Sequence, residues 1–302
     1  MNVLIIGLGS IAKKHINALR KINASVCFFA LRSGRSSENV EGVTNIVSIT
    51  ECPEIDFVII ANPTAFHADA IKQVAHLKKP LFIEKPPFHE LKPVDSCLAL
   101  IKKNNIITYT AFNLRFLDCL VYLEKNVDVS KVQEVNVYCG SYLPDWRPNI
   151  KYKNNYSAQA AMGGGVHLDL IHELDYVLWI FGKPLNVRSV LRNKSKLGID
   201  AVDYANYVLV YPNFVVNIVL NYYRHDTKRC CEIVFDDTTW NTDLVTNTIY
   251  DIKNQSTVFH SEQTVLDTYT AQMAYFCDTV STNTTLFNSL AESVETLKIA
   301  LS

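Results

Sequence analysis

The chain begins Met1-Asn2-Val3-Leu4-Ile5-Ile6-Gly7-Leu8-Gly9-Ser10-Ile11-Ala12, and this stretch decides the fold. Residues 3–6 are a short apolar run, which is typical of a strand buried on both faces. Residues 10–22 carry apolar side chains at helical spacing. The motif GxGxxA joins the two: its first glycine allows a tight turn, the second lets a pyrophosphate approach, and the alanine permits close packing. The stretch therefore predicts a dinucleotide-binding turn formed by Gly7, Gly9, Ser10, Ile11 and Ala12.

Strands and helices continue to alternate up to about residue 115. Short apolar runs predict further strands, and amphipathic stretches between them predict helices. Such alternation favours a parallel sheet with right-handed crossovers, in this case a doubly wound α/β sheet. The predicted strands are 25–31, 57–61, 80–84 and 106–109, and the predicted helices are 65–77 and 90–103.

The pattern changes in the rest of the chain. Longer strands follow one another through turns, which predicts an α+β domain with a large, mostly antiparallel open sheet. We therefore expect a nucleotide-binding domain over residues 1–115 and a second domain over 116–302, whose last helices can pack back on the first. The predicted strands are 132–143, 185–192, 204–211, 214–223 and 230–235, and the predicted closing helices are 263–281 and 290–301.

Composition excludes several classes of protein. The 302 residues hold 29 basic and 30 acidic side chains, so a nucleic-acid or polybasic membrane surface is not expected. No apolar run reaches about 18 residues, and the start lacks the basic region of a signal peptide. A cytoplasmic protein with reduced cysteines is the expectation. None of the eight cysteines forms a CxxC pair, and no metal site is predicted.

The residues after the second strand bear on the choice between NAD and NADP. An acidic residue there would bind the ribose hydroxyls of NAD, but the chain reads Leu31-Arg32-Ser33-Gly34-Arg35. Arg32, Ser33 and Arg35 can instead hold a 2′-phosphate through charge-assisted hydrogen bonds. NADP is therefore favoured over NAD. Stacking of Arg32 on adenine is the alternative, and it leaves NAD open.

Three further segments complete a pattern: Asn62-Pro63-Thr64 with His67, Glu84-Lys85-Pro86, and Gly163-Gly164-Gly165-Val166-His167-Leu168-Asp169 leading into His172. With the glycine turn and His15, the chain resembles the Gfo/Idh/MocA oxidoreductases, relatives of glucose–fructose oxidoreductase and inositol dehydrogenase. The resemblance covers essentially the whole chain. It implies a Rossmann domain followed by an open sheet, and hydride transfer between NAD(P) and a hydroxyl or keto carbon without a metal.

The resemblance also implies roles for individual residues. Lys85 is the catalytic lysine, whose charge can stabilise an alkoxide-like oxygen in the transition state. Asp169 orients the reacting groups and His172 is the general base, a role suited to a histidine near its ordinary pKa. Residues implied near the cofactor are Asn62, Pro63, Thr64, His67, Glu84 and Lys85, and those implied near the substrate are Asn113, Arg115, Trp146, Arg147 and His167.

One departure from the commoner family pattern leaves the base open. Asp169 and His172 are separated by three positions, which would place them on one face of a helix. In the commoner pattern the two residues are separated by four positions, so one residue is missing here. His167 therefore competes with His172 for the role of the base.

The implied substrate is a sugar or a nucleotide sugar, and the implied assembly is a homodimer or homotetramer through the second sheet. A catalytically silent sensor and a reductase of small non-sugar molecules stay as alternatives. Several tyrosines of the second half are expected on the surface of the sheet, namely Tyr204, Tyr207, Tyr211, Tyr222 and Tyr223.

Overall fold

The computed structural model describes residues 1–32, 39–147, 150–282, 284 and 287–302. The chain divides into two units. The first contains residues 1–113 and 266–295, and the second contains residues 114–265 and 296–302. Residues 266–295, which lie in the second domain as predicted from the sequence, thus belong with the first unit.

A six-stranded parallel sheet forms the centre of the first unit, in the order β3-β2-β1-β4-β5-β6. The apolar residues of β1, β4 and β5 are buried on both faces because helices cover the sheet. The order reverses at β1, whose neighbours are β2 and β4, so a crevice opens beyond the carboxyl ends of these strands. The strands are β1 (Asn2–Ile6), β2 (Cys27–Leu31), β3 (Val43–Ile46), β4 (Phe57–Ile60), β5 (Leu81–Ile83) and β6 (Thr108–Thr110), and three helices are α1 (Ser10–Ile22), α2 (His67–Val74) and α3 (Val94–Lys103).

Helix α7 (Val265–Thr282) packs on this sheet through one aromatic side chain. The ring of Phe276 lies edge-on to Phe57 and Phe82, with centroids 5.1 and 5.3 Å away. Edge-to-face packing of this kind adds stability beyond the buried area. Among the described helices, none is long and apolar enough to cross a membrane.

An eight-stranded sheet forms the second unit, in the order β14-β13-β12-β11-β7-β10-β9-β8. Every pair of neighbours is antiparallel except β7 and β10, which run parallel. The strands are β7 (Val132–Gly140), β8 (Asn186–Arg192), β9 (Tyr204–Val210), β10 (Val215–Asn221), β11 (Lys228–Phe235), β12 (Thr239–Asp243), β13 (Thr248–Asp251) and β14 (Ser256–His260), and the other helices of the chain are α4 (Asp118–Asn126), α5 (Val166–Asp169), α6 (His172–Phe181) and α8 (Leu290–Ala300).

The predicted fold class is confirmed: a doubly wound parallel sheet is followed by a large, mostly antiparallel sheet. β3, α4 and the three strands β12–β14 are not predicted from the sequence. β3 and β14 are edge strands; one residue of β3 is buried and none of β14 is, so their apolar signal is weak. β12 holds one apolar residue and β13 two, and the other residues of both are threonine, asparagine and aspartate, so neither strand gives an apolar run long enough to predict it.

Helix α6 lies in the interior of the second unit and brings two carboxylates with it. Glu173, which has no exposed surface, accepts a 2.6 Å hydrogen bond from Nε of Arg229 on β11. Asp175 is 1% exposed and accepts two 2.8 Å bonds from Nε and Nη2 of Arg115. A buried charge is tolerated only with such a partner, so the two pairs fix α6 to its surroundings.

We predict that Glu173→Ala strongly destabilises the protein, because it leaves the Arg229 guanidinium buried without its carboxylate. Breaking one side of a buried pair costs about 3–5 kcal/mol. Urea unfolding followed by circular dichroism measures the free energy of unfolding. Glu124→Ala, at an exposed position on α4, is the matched control and should change it by less than about 0.5 kcal/mol. Glu173→Gln keeps the side-chain shape and should fall between the two; equal stability of all three variants would contradict the prediction.

Candidate active site

The glycine turn has the geometry that a dinucleotide needs. Gly7 has a φ of +89°, and a Cβ on it would lie 2.4 Å from the backbone N and Cα of Asn62, so only glycine fits there. Gly9 begins α1 as its N-cap, with no side chain bonded to the helix end and no acidic residue in the first turn. Open space lies where a Cβ of Gly9 would be. The N–H groups of this helix end can therefore donate hydrogen bonds to a phosphate.

The remaining residues of the turn divide between packing and exposure. Ala12 has no exposed surface and packs under the turn, as a small residue there must, while Ser10 is exposed and Ile11 is half-buried. Asn62 follows β4 and donates from Nδ2 to the carbonyl of Phe66 at 3.3 Å. Its Oδ1 is buried and, within the described part of the chain, has no hydrogen-bond partner. These donors and this acceptor fit NAD(P) at the turn.

His67 braces two loops of this sheet edge. Its Nε2 lies 3.0 Å from the carbonyl oxygen of Asn62, after β4, and its Nδ1 lies 3.3 Å from that of Pro87, after β5. The ring is 1% exposed, and burial lowers the pKa of His67 below its ordinary value. A neutral ring donates from one nitrogen only, so it holds one of the two carbonyls at a time. Thr64 beside it is also buried, and Pro63 is half-buried.

Lys85 is held in place through the backbone by the residue before it. The carboxylate of Glu84 lies 2.5 Å from Nε2 of His15 on α1, and both side chains are buried. The second oxygen of Glu84 accepts from the backbone N–H of Lys85 at 3.2 Å. Register aligns Ile6, Ile60 and Ile83, so Gly7, Asn62 and Lys85 all follow the same edge of the sheet. The Lys85 side chain is half-buried.

Two other residues predicted from the sequence lie in the first unit. The backbone N–H of Arg32 donates to Ile46 at 2.9 Å, which fixes the chain just after β2. Ser33 and Arg35 lie outside the described residues. Asn113, implied near the substrate, is 4% exposed and donates from Nδ2 to Oγ1 of Thr268 at 2.7 Å. In this structure the amide of Asn113 therefore ties α7 to its own unit.

In the second unit, the carboxylate of Asp169 is bound by two phenols. Tyr156 donates to Oδ1 at 3.1 Å, and Tyr222 donates to Oδ2 at 2.5 Å. The nearby carboxylate and burial raise the pKa of Tyr156, and burial and the carboxylate raise the pKa of Tyr222. Both hydroxyls therefore stay protonated and keep donating. Neither tyrosine was identified as a site residue from the sequence, and the expectation of a place on the sheet surface is wrong for Tyr207, Tyr211 and Tyr222, which are buried.

Trp146 and Arg147 support these tyrosines. The indole of Trp146 donates to Oγ of Ser141 at 2.8 Å and lies edge-on to Tyr222 at 5.2 Å. The guanidinium of Arg147 lies over the ring of Tyr156, 5.2 Å from its centroid, and donates to Asn155 at 2.5 Å. The two residues that the resemblance places near the substrate thus pack around the partners of Asp169.

Asp169 and His172 do not share a continuous helix, so the expected placement on one helical face is wrong. Asp169 ends α5 and His172 begins α6, and the two residues between them are outside both helices. His172 is 8% exposed and His167 is 7% exposed. Burial lowers the pKa of His167 to about 4, against a smaller opposing effect of Asp169. Gly165, at φ +130°, makes room for this ring, since a Cβ there would lie 2.6 Å from Cε1 of His167.

Arg115 is engaged by protein groups. Besides its two bonds to Asp175, its guanidinium lies over Trp179, 5.6 Å from the ring centroid. The planar donor fork that could bind a substrate phosphate or carboxylate is therefore directed at an internal carboxylate. Within the described part of the chain, no group of three or more His, Cys, Asp or Glu side chains could hold a metal ion.

Comparison with known proteins finds relatives that are named as oxidoreductases and dehydrogenases. The chain is 26% identical over 230 residues to the uncharacterized oxidoreductase YrbE of Bacillus subtilis (72% of this chain, 65% of the relative). It is 28% identical over 212 residues to the inositol 2-dehydrogenase of Rhizobium meliloti (66% and 61%). The matched region thus spans less than two thirds of the length of either relative. The solved structure of UDP-N-acetylglucosamine 3-dehydrogenase GnnA from Acidithiobacillus ferrooxidans shares the fold, with a TM-score of 0.82 at 20% identity (100% of this chain, 95% of that chain).

Family models match both parts of the chain. Residues 1–112 match the oxidoreductase family with an NAD-binding Rossmann fold, which is the region of the glycine turn and Lys85. Residues 125–240 match the C-terminal domain of the same family, which is the region of Asp169 and His172. Together the two matches cover most of the sequence, and the chain belongs to the GFO/IDH/MocA oxidoreductase family.

Proposed function

We propose that the protein is an NAD(P)-dependent dehydrogenase or reductase that transfers a hydride at a hydroxyl or keto carbon of a sugar or nucleotide sugar. One observation carries the proposal: Lys85 is fixed by Glu84 at the sheet edge that bears the dinucleotide turn. The names of the inositol 2-dehydrogenase and the UDP-N-acetylglucosamine 3-dehydrogenase supply the substrate class.

The first unit supplies binding and charge. NAD(P), when bound, accepts or donates the hydride. The N-terminus of α1 would hold its pyrophosphate, and Gly7 and Gly9 would permit the close approach. Lys85 stabilises the negative charge that develops on the reacting oxygen as the hydroxyl proton leaves. Glu84 holds the backbone of Lys85 at this edge of the sheet.

The second unit supplies the proton exchange. We assign His172 as the group that takes the hydroxyl proton in oxidation and returns it in reduction. Asp169 orients the reacting hydroxyl, and its two phenol donors hold the carboxylate in one position. His167 is the weaker candidate for the base, because a pKa of about 4 makes it a poor acceptor of a proton at neutral pH.

For the cofactor we propose NADP over NAD. Arg32 directly follows β2, and its guanidinium can form charge-assisted bonds to a 2′-phosphate. We further propose that the protein forms a homodimer or homotetramer through the open face of its second sheet. Asparagines line this face, where Nδ2 of Asn217 donates to Oδ1 of Asn136 at 3.2 Å.

We predict that Lys85→Ala lowers the rate of oxidation by roughly 10²–10³-fold, because one stabilising charge is lost from the transition state. Nicotinamide absorbance with a panel of inositols, sugars and UDP-sugars measures it. Binding of the reduced cofactor, followed by its fluorescence, should persist. The control is Lys92→Ala, at an exposed position in the same unit, which should behave like wild type. Equal turnover by the Lys85 variant would refute the assigned mechanism, and cofactor binding without turnover by wild type would favour a sensor.

A second prediction separates the two histidines. His172→Asn should lower kcat by roughly 10²-fold or more, as loss of a general base does. His167→Asn should cost far less and should leave the pH profile of kcat/KM unchanged above pH 5, where His167 is already neutral. A neutral-pH inflection that persists in His172→Asn and vanishes in His167→Asn would reverse the assignment.

The cofactor preference gives a third prediction. Arg32→Ala should weaken NADPH binding by roughly 10–100-fold, since a hydrogen bond to a charged group contributes about 1.5–3 kcal/mol. NADH, which lacks the 2′-phosphate, is the built-in control, and its dissociation constant should stay within about two-fold. Equal weakening for both cofactors would mean that Arg32 contacts the adenine instead.

A further inference from the structure

A cavity of about 720 Å³ lies entirely within the second unit, at the ends of β8 and β9 and under the loop that joins them. This volume is in the range of pockets that hold small molecules. Three cations line it, Arg192, Lys194 and Lys196. Neither the glycine turn nor the residues around Asp169 form any part of its lining, so the proposed chemistry leaves this cavity unused. Val190 and Asn206 in the lining lie on the open face of the second sheet, so the proposal requires that the cavity stays accessible in the proposed assembly.

Internal bonds fix the loop that carries the cations. Oδ2 of Asp203 accepts from the backbone N–H of Ser195 at 3.0 Å and from its hydroxyl at 2.7 Å. The hydroxyl of Tyr152 donates to the carbonyl of Leu197 at 2.9 Å. Asp203, the one carboxylate among the described residues of the lining, is 1% exposed. Its Oδ2 is bonded to Ser195, and its Oδ1 is buried and has no hydrogen-bond partner within the described part of the chain. Hydrogen bonds within the protein therefore fix the backbone of the loop, and the charged side chains of Arg192, Lys194 and Lys196 can contact a ligand.

The charge of the cavity favours an anion. Among the residues that the structure describes, no carboxylate forms an ion pair with Arg192, Lys194 or Lys196. Three cations around one cavity repel each other, and a polyanion between them relieves that repulsion. Arginine offers a planar fork that matches phosphate, and lysine adds point charges.

Aromatic rings form the other part of the wall. Tyr142 packs on His225 with centroids 4.1 Å apart, and Tyr223 is 39% exposed toward the cavity. Such rings present flat apolar faces with polar tips, on which a planar heterocycle can stack. Phosphate-binding cations beside stacking rings are the two halves of a nucleotide site.

We propose that this cavity binds a nucleoside diphosphate, with the phosphates on Arg192, Lys194 and Lys196 and the base against Tyr142 and Tyr223. The nucleotide can be the part of a nucleotide-sugar substrate that does not react, or a free effector. Tyr223, in the lining, directly follows Tyr222, whose hydroxyl donates to Asp169. Only the substrate reading rests on the proposed function.

Isothermal titration with UDP tests the proposal on the full chain, with NADPH present at saturation to fill the dinucleotide turn. The triple variant Arg192→Ala/Lys194→Ala/Lys196→Ala should bind UDP at least ten-fold more weakly, as expected for lost phosphate contacts. Affinity in wild type should fall with added salt, and uridine should bind far more weakly than UDP. The control is Lys102→Ala/Lys103→Ala/Lys125→Ala, which removes the same charge at exposed sites. Undetectable UDP binding by wild type, or equal binding by both triple variants, would overturn the proposal.

The two sources of the nucleotide are told apart by kinetics with a UDP-sugar. If the nucleotide belongs to the substrate, UDP competes with it, and the cavity variant raises KM with little change in kcat. If it is an effector, UDP changes the rate without competing. NADPH fluorescence of the cavity variant should match wild type throughout, so loss of UDP binding alone separates failure at the cavity from failure of the dinucleotide turn.

Discussion

The first unit depends on a buried carboxylate that bonds in two directions. Glu84 is 6% exposed, and an ionised group so placed needs compensation for its lost hydration. It obtains this from His15 on α1 and from the N–H of Lys85. Because α1 starts at the glycine turn, the side chain of Glu84 links the helix of that turn to the backbone of Lys85, the proposed catalytic lysine. If α1 or Lys85 moved, the carboxylate of Glu84 would lose a hydrogen-bond partner. The position of α1 relative to Lys85 is therefore fixed.

The second unit also contains a buried carboxylate, and there the hydrogen-bond donors are neutral. Asp169 accepts from two phenols, Tyr156 and Tyr222, whose raised pKa values keep them protonated. Trp146 and Arg147 pack on those rings, so the carboxylate is surrounded by bulky side chains with few rotamers. The residues that the resemblance places near the substrate thus have a structural reason to be where they are, whether or not a ligand touches them.

The sequence predicted what is local and continuous. Apolar runs located the central parallel strands, and GxGxxA located the turn, because both signals lie within a few residues. Contacts distant in sequence were missed: Arg115 was assigned to the substrate, but its partner Asp175 is 60 residues away. Tyr222 was assigned to the surface, but it continues the buried positions of β10 at Ile218 and Leu220. Its hydroxyl donates to Asp169, which is 53 residues away in the sequence.

The break between α5 and α6 bears on the choice between an enzyme and a silent sensor. Asp169 and His172 are one position closer together than in the commoner family pattern, and this spacing favours a sensor because it puts the place of the base in doubt. Such a deficit rotates a side chain by about 100° only if the helix between the two positions is continuous. Here Leu170 and Ile171 leave the helix, with φ and ψ of −100° and 30° at Leu170, and α6 begins anew at His172. The direction of His172 is therefore set by the packing of α6, which Glu173 and Asp175 anchor through their arginines. The short spacing is no reason to deny His172 the proton-exchange role, and the fixed Lys85 favours an enzyme.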